Sequence, residues 1–70
     1  MNNCSIFVKK MRKQYGLTQE QLAEKSGVGL RFLRELEGGK PTLRMDKVNS
    51  VLAMFDAKLG VVKRDNTVEL

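Results

Sequence analysis

The sequence predicts a small all-α domain of four helices, followed by a short C-terminal β-strand. Three observations support this fold class. Apolar residues recur at helical spacing as far as about residue 55. Glycines and capping residues divide that stretch into four segments. Beyond it, β-branched residues replace the helical pattern. A chain of 70 residues is long enough for one such domain only.

Composition excludes several classes of function. The hydrophobic share, 41%, is that of an ordinary globular domain, and the apolar runs are too short to cross a membrane. The chain contains no His, which excludes a Ser-His or Cys-His nucleophile and a His-ligated metal. Cys4 is the single cysteine, which excludes an intramolecular disulfide and a CxxC metal site. We therefore expect no catalytic residues, no metal and no cofactor: the protein is not an enzyme.

The charge of the chain points to a polyanionic partner. Its formal net charge is +5. Residues 1–40 carry most of the excess, with eight positive and four negative side chains, against five and four in residues 41–70. Such an excess suits nucleic acid. Charge alone does not exclude the alternative of a basic protein that binds no nucleic acid. The sequence shows no apolar signal segment after Met1, and its cysteine usage fits a cytoplasmic location.

Glycine and threonine mark the first two helices. Ser5 is expected to open the first helix, and Gly16 to end it, because glycine adopts the left-handed conformation at little cost. Thr18 is expected to begin the second helix. Thr18 and Gln21 have the spacing of a capping box, in which each side chain binds the other residue's backbone N–H. Gly27 then ends this helix after barely two turns.

The third and fourth helices follow the same logic. The third is predicted over about residues 30–37, between Gly29, a permissive N-cap, and the glycine pair at positions 38 and 39. Thr42 is expected to cap a fourth helix that runs to about Phe55. The inner face of that helix is predicted to consist of Leu43, Met45, Val48, Val51, Leu52 and Phe55.

The segment from Lys58 to Arg64 predicts a strand rather than a helix. It contains β-branched residues without a helical stripe. A strand without a partner leaves a row of unpaired backbone groups. We therefore expect residues 1–56 to form the domain and residues 57–70 to form a dimerisation strand and short tail. This strand would pair antiparallel with a second copy through Leu59, Gly60, Val61, Val62 and Lys63. A tail that orders only on another protein is the alternative.

Two short helices joined by a glycine turn, with basic residues on the second, have the helix-turn-helix layout. Residues 16–28, GLTQEQLAEKSGV, resemble the LTQxxLAxxxGV signature of the Cro/repressor-type (XRE) helix-turn-helix family. Residues 36–43, LEGGKPTL, are similar to that family's IExGxxxP stretch. The resemblance implies a lambda repressor-like domain. It also implies a sequence-specific transcriptional repressor that binds double-stranded operator DNA as a homodimer.

The same resemblance assigns DNA-contact residues to three places: the start of the second helix, the exposed face of the third and the loop after it. The implied base contacts are Leu30, Arg31, Arg34 and Glu35. The implied phosphate contacts are Gln19, Gly38, Gly39, Lys40 and Arg44. Arginine reads guanine through two hydrogen bonds, and leucine can meet a thymine methyl. The alternatives are a phosphate contact for Arg31, a solvated or Arg-paired carboxylate for Glu35, and plain helix capping for Gln19. For Gly38, Gly39, Lys40 and Arg44 the alternative is a turn with solvated charges.

Two further features belong to the resemblance. Arg12 and Glu37 match family positions that imply a partly buried ion pair between the first and third helices. Residues 56–64 are similar to the end of HipB-like antitoxins, which repress their own operon and hold a HipA-type kinase toxin. We therefore expect an autorepressor and antitoxin of a HipBA-like toxin–antitoxin operon, with a HipA-like kinase as partner, acting in the cytoplasm at the nucleoid. Two alternative functions remain. One is a free-standing regulator, such as a restriction-modification controller, and the other is a protein-neutralising module that binds no DNA.

Overall fold

Residues 2–61 form a domain of four helices. A computed structural model of the chain describes residues 2–61. Its helices are α1 (Asn3–Gln14), α2 (Gln19–Ser26), α3 (Leu30–Glu37) and α4 (Met45–Ala53). The predicted all-α fold of four helices is therefore confirmed. Among residues 2–61, none of the helices has the length and apolar character needed to cross a membrane.

Reciprocal caps fix where α1 and α2 begin. Thr18 Oγ1 accepts a hydrogen bond from the Gln21 N–H at 3.0 Å, and the Thr18 N–H donates to Gln21 Oε1 at 2.8 Å, as the sequence predicts. A second capping box was not predicted. Asn2 Oδ1 accepts from the Ser5 N–H at 2.8 Å, and the Asn2 N–H donates to Ser5 Oγ at 3.2 Å. The prediction that Ser5 opens α1 was therefore wrong, because Ser5 lies inside the helix and Asn2 caps it.

Glycines end the first two helices at the predicted places. Gly16 has a φ of 68° and Gly27 a φ of 76°, both in the left-handed region. Residues with a Cβ are strained in that region, so a glycine at the end of a helix turns the chain at low cost. Gly27 also begins the turn of residues 27–29 that separates α2 from α3. The sharp turn sets the angle between these two helices.

α4 is shorter at both ends than predicted. Its N-cap is Arg44 instead of Thr42. Residues 42–44 are not helical, and Leu43 packs against the core from this segment. At the other end the helix stops at Ala53, and a turn of residues 54–56 follows it. The later start also leaves Met45, a predicted inner residue, 66% exposed in the first turn.

One hydrophobic core joins all four helices. Val8 of α1, Leu22 of α2, Leu33 of α3 and Val51 of α4 are each completely buried. These residues come from the apolar stripes that the helical spacing predicts. Cys4 packs at the edge of this core, and burial raises the pKa of its thiol. A rigid core of this kind holds the two short helices α2 and α3 in a fixed relation.

The chain after α4 returns to the core. The Leu59 N–H donates to Asn49 Oδ1 of α4 at 2.8 Å, and Ala57 and Leu59 pack against the core. Both residues thus belong to the same packed unit as the helices. The described end of the chain, Leu59, Gly60 and Val61, is not a β-strand. A β-strand is defined by backbone hydrogen bonds to a neighbouring strand, and the Leu59 N–H instead donates to Asn49 of α4. The rest of the predicted strand, from Val62 and Lys63 to Arg64, lies outside the described residues.

Candidate nucleic-acid interface

The helix α3 has two chemically different sides. Its inner side buries Leu33 and Leu36 against α1 and α2. On its outer side Arg31 and Arg34 are exposed, while Leu30 and Glu35 are half-buried at the margins. The structure therefore brings the four predicted base-contact residues to the outer side of α3 and its margins. An exposed basic helix, packed on a supporting helix by a short turn, is the arrangement that enters the major groove in helix-turn-helix proteins.

The backbone amides of the loop after α3 donate hydrogen bonds to carbonyls of that helix. The Gly38 N–H donates to Arg34 O at 2.9 Å, the Gly39 N–H to Leu36 O at 3.1 Å, and the Lys40 N–H to Glu35 O at 3.1 Å. These amides close the end of α3, where helix carbonyls would otherwise lack partners. A phosphate contact from Gly38 or Gly39 stays a prediction. Within residues 38–40, the charged group that can reach a phosphate is the Lys40 ammonium.

Gln19 lies at the first position of α2 and faces the end of α3. Its Nε2 donates to Glu37 Oε1 at 3.1 Å. Thr18 supplies the cap of α2, so the side chain of Gln19 is not the capping group. The structure thus places Gln19 beside α3, at the edge of the predicted interface. A phosphate contact from Gln19 stays a prediction.

The ion pair expected between Arg12 and Glu37 is present and largely buried. Arg12 Nε donates to Glu37 Oε2 at 2.7 Å, and Arg12 Nη2 donates to Glu37 Oε1 at 3.1 Å. The third nitrogen, Nη1, donates to the Leu17 carbonyl at 2.9 Å. With Gln19, the Glu37 carboxylate accepts three hydrogen bonds, and its side chain is only 4% exposed. This network ties α1, the α1–α2 turn and the start of α2 to the last residue of α3, and so fixes the direction of α3.

Three of the predicted DNA-contact cations are paired with carboxylates. Glu35 Oε2 lies 3.6 Å from Arg31 Nε and 3.4 Å from Lys40 Nζ. Arg44 donates to both carboxylate oxygens of Asp46, at 3.1 and 2.7 Å. The hydrogen bond from Arg44 is the largest cause that lowers the pKa of Asp46 below its ordinary value. The exposed side of the domain therefore carries cations and acids in contact.

Lys47 is a cation near the interface that sequence reasoning missed. Its Nζ lies 5.9 Å from the ring centroid of Phe32, in the geometry of a cation–π contact. Phe32 is half-buried against the core on α3, while Lys47 is exposed on α4. The two residues lie on different helices, and nothing in the local sequence of either residue indicates that they meet. Lys47 adds one more positive charge close to α3.

Comparison with known proteins covers the part of the chain that contains this candidate interface. A family model described as helix-turn-helix matches residues 8–61. That range contains Arg12, all of α2, α3 and α4, and the loop after α3. The chain is also 42% identical over 56 residues to y4mF of Sinorhizobium fredii, described as an uncharacterized HTH-type transcriptional regulator. This similarity covers 80% of the present chain and 74% of its relative.

Proposed function

Because this chain belongs to the Cro/repressor-type (XRE) helix-turn-helix family, we propose that it is a sequence-specific, DNA-binding transcriptional repressor. The observation that carries the proposal is the two-sided helix α3. Its apolar side is fixed in the core, while Arg31 and Arg34 are exposed on the other side. An α-helix with its side chains is about 10–12 Å in diameter, which fits the major-groove width of about 12 Å.

In the proposed complex, α3 lies in the major groove of the operator. Arg31 and Arg34 reach base edges, where arginine distinguishes guanine through O6 and N7. Lys40, in the loop after α3, and Gln19, at the start of α2, reach the phosphates that border the groove. Phosphate contacts set the position of the protein on the duplex, whereas base contacts select the sequence. The Arg12–Glu37 network keeps α3 in one orientation while these contacts form.

Titration of DNA under varied salt tests the proposed function. We expect the full chain to bind a random 30-bp duplex with an affinity that falls steeply with salt, by about 0.9 in log–log slope per phosphate contacted. Selection from a random-sequence pool should enrich a duplex bound at least about a thousandfold more tightly. Fluorescence anisotropy between 50 and 200 mM salt measures both affinities. A chain that binds neither duplex would support the protein-neutralising alternative, and equal binding of both would exclude sequence-specific repression.

We also propose that the repressor acts as a homodimer through its C-terminal segment. Apolar side chains are exposed where this segment passes α1: Val61 is completely exposed, and Phe7 is 36% exposed. The Leu59 N–H is directed to α4. In the proposed dimer the next residue, the exposed Gly60, would meet the second copy. A twofold axis through this contact would separate the two α3 helices by about 34–36 Å, one turn of DNA.

Two matched truncations test the dimer. A chain that ends at Gly60 keeps the packed residues Ala57 and Leu59 but loses the outer part of the segment, so we expect a monomer in solution. Its operator affinity should fall about a hundredfold or more, because the two half-sites are no longer bound together. A chain that ends at Arg64 is the control and should stay dimeric. Light scattering and anisotropy measure the two effects. A dimer with unchanged operator affinity for the chain ending at Gly60 would contradict this role.

We further propose that this repressor is the antitoxin of a HipBA-like operon and acts in the cytoplasm at the nucleoid. The support is the resemblance of residues 56–64 to the end of HipB-like antitoxins. The partner would be a HipA-type kinase toxin. The gene beside this one provides the test: a kinase gene whose product co-purifies with the full chain is the expected result. A neighbour of another kind would favour a free-standing regulator or a restriction-modification controller.

A further inference from the structure

Two acidic side chains lie among the cations that are predicted to contact DNA. We propose that Glu35 and Asp46 hold Arg31, Lys40 and Arg44 in ion pairs and thereby weaken binding to DNA phosphates, and that Glu35, which can also accept a hydrogen bond from a base, makes this loss larger on random DNA than on the operator. The inference rests on the proposed function and adds to it. It assigns to these acids a role in lowering the affinity for random DNA.

Glu35 is placed to neutralise two cations at once. Its Oε2 atom lies between Lys40 Nζ, at 3.4 Å, and Arg31 Nε, at 3.6 Å. Arg31 and Glu35 are one helical turn apart on α3, so the backbone itself keeps them neighbours. Side-chain exposure is 29% for Glu35, 46% for Lys40 and 93% for Arg31. The carboxylate is thus the least exposed member of the cluster and the two cations are more open to solvent, from which DNA approaches.

Asp46 holds Arg44 in a similar way on α4. Arg44 donates two hydrogen bonds to the carboxylate, at 2.7 and 3.1 Å, and both side chains are exposed. Asp46 lies in the first turn of α4, where the helix dipole favours a negative charge. The hydrogen bond from Arg44 lowers the pKa of this carboxyl below its ordinary value. Arg44 therefore meets DNA as half of an ion pair.

The energetics of exposed ion pairs make such neutralisation reversible. An exposed pair contributes less than about 1 kcal/mol, so a phosphate or a base edge can take over the cation. The carboxylate stays beside the DNA, where it repels phosphates. Random DNA offers little besides phosphates, so it experiences this repulsion in full. Operator DNA carries the same phosphates, but a cytosine N4 amino group at the right position can donate a hydrogen bond to Glu35 and so offset the repulsion there. Rejection of the wrong partner by a repulsive group is a general route to specificity.

Neutral isosteres of the two acids test the inference in the full chain. Glu35→Gln and Asp46→Asn each remove one negative charge, and Asp56→Asn is the matched control. Asp56 is exposed in the turn beyond the far end of α4, and its φ of 56° is one that Asn accepts readily. The probes are a random 30-bp duplex and the duplex that the wild type enriches from a random pool. Anisotropy from 50 to 200 mM salt gives affinities and salt slopes, and thermal unfolding reports stability.

Each test variant should bind the random duplex about threefold or more tightly than Asp56→Asn. The salt slope should steepen by about 0.9 per carboxylate removed. For Glu35→Gln the ratio of enriched to random affinity should fall, since the enriched duplex also loses its contact to the carboxylate. For Asp46→Asn the two affinities should rise together. Random-DNA affinities equal to that of the control would overturn the inference, whether or not the unfolding temperature changed. A Glu35→Gln variant that loses only enriched-duplex affinity would make Glu35 a simple base reader and also overturn it. A wild-type chain with no salt-dependent affinity for DNA would contradict the proposed function itself, and the inference with it.

Discussion

Replacing Arg12 with methionine should lower the free energy of unfolding by about 3–5 kcal/mol, because it leaves the Glu37 carboxylate buried without its charged partner. Glu37 is 4% exposed and receives two of its three hydrogen bonds from Arg12. Removing Arg12 also frees the Leu17 carbonyl from its side-chain donor. An uncompensated charge of this kind is among the few causes of large single-residue losses.

The loss should be large for a domain of this size. Small domains are stable by about 5–15 kcal/mol in total. Each kcal/mol shifts the melting temperature of a 60–100-residue domain by about 4–8 °C, so we expect a decrease of more than about 10 °C. Urea and thermal unfolding followed by circular dichroism measure the change. The matched control is Lys10→Met, which removes an exposed charge from the same helix and should change stability by less than about 0.5 kcal/mol.

A double variant distinguishes the effect of the two charges from the effect of side-chain packing. Arg12→Met combined with Glu37→Met replaces both charges by apolar side chains, and such replacements are often neutral or stabilising when the packing is preserved. We expect the double variant to be more stable than Arg12→Met alone. If Arg12→Met unfolds at the wild-type temperature, Arg12 and Glu37 act as an ordinary surface pair, and the proposed fixing of α3 loses its basis.

The largest expected effect on DNA recognition comes from Arg31. On the enriched duplex, Arg31→Ala should cost about 1–3 kcal/mol and relax the preference at one base position. The reason is that Arg31 extends from the outer side of α3 with 93% of its side chain exposed, so it can reach a base edge. Selection from a random pool with the variant shows which position is relaxed, and anisotropy gives the energy.

Lys40→Ala is the informative comparison for Arg31→Ala. Lys40 lies in the loop after α3, where its ammonium is the group placed to meet phosphate. Its loss should weaken enriched and random duplexes alike and reduce the salt slope by about one unit per half-site. Arg31→Ala should instead affect the enriched duplex far more than the random one. Equal losses on both duplexes for Arg31→Ala would make Arg31 a phosphate contact, the alternative that the sequence leaves open.

The parts of the fold that depend on near neighbours follow from the sequence. The capping box of Thr18 and Gln21, the left-handed glycines 16 and 27, and the bounds of α3 all appear where expected. Each involves residues at most four positions apart, so local geometry decides it. The start of α4 was mispredicted because Thr42 is a suitable cap by type. Packing of Leu43 on the core moved the cap to Arg44.

The candidate site also has features that were expected from the sequence and features that depend on the tertiary structure. Family resemblance was enough to expect the outer residues of α3 and the Arg12–Glu37 pair, because those positions have a recognisable spacing in the chain. It did not indicate that the Gly38 and Gly39 amides close α3, or that Gln19 donates to Glu37. The first depends on the conformation of the loop. The second joins residues 18 positions apart that meet only after α2 packs beside α3.

Local sequence thus decides which segments become helices and which residues stop them, since hydrogen bonds within one turn cost little chain entropy to form. Tertiary packing alone decides which distant groups share an environment. It places Lys47 over Phe32, ties Leu59 to Asn49, and positions the Lys40 ammonium beside the Glu35 carboxylate that also faces Arg31. Such contacts depend on how the helices cross, and that is set by the summed burial of the whole core.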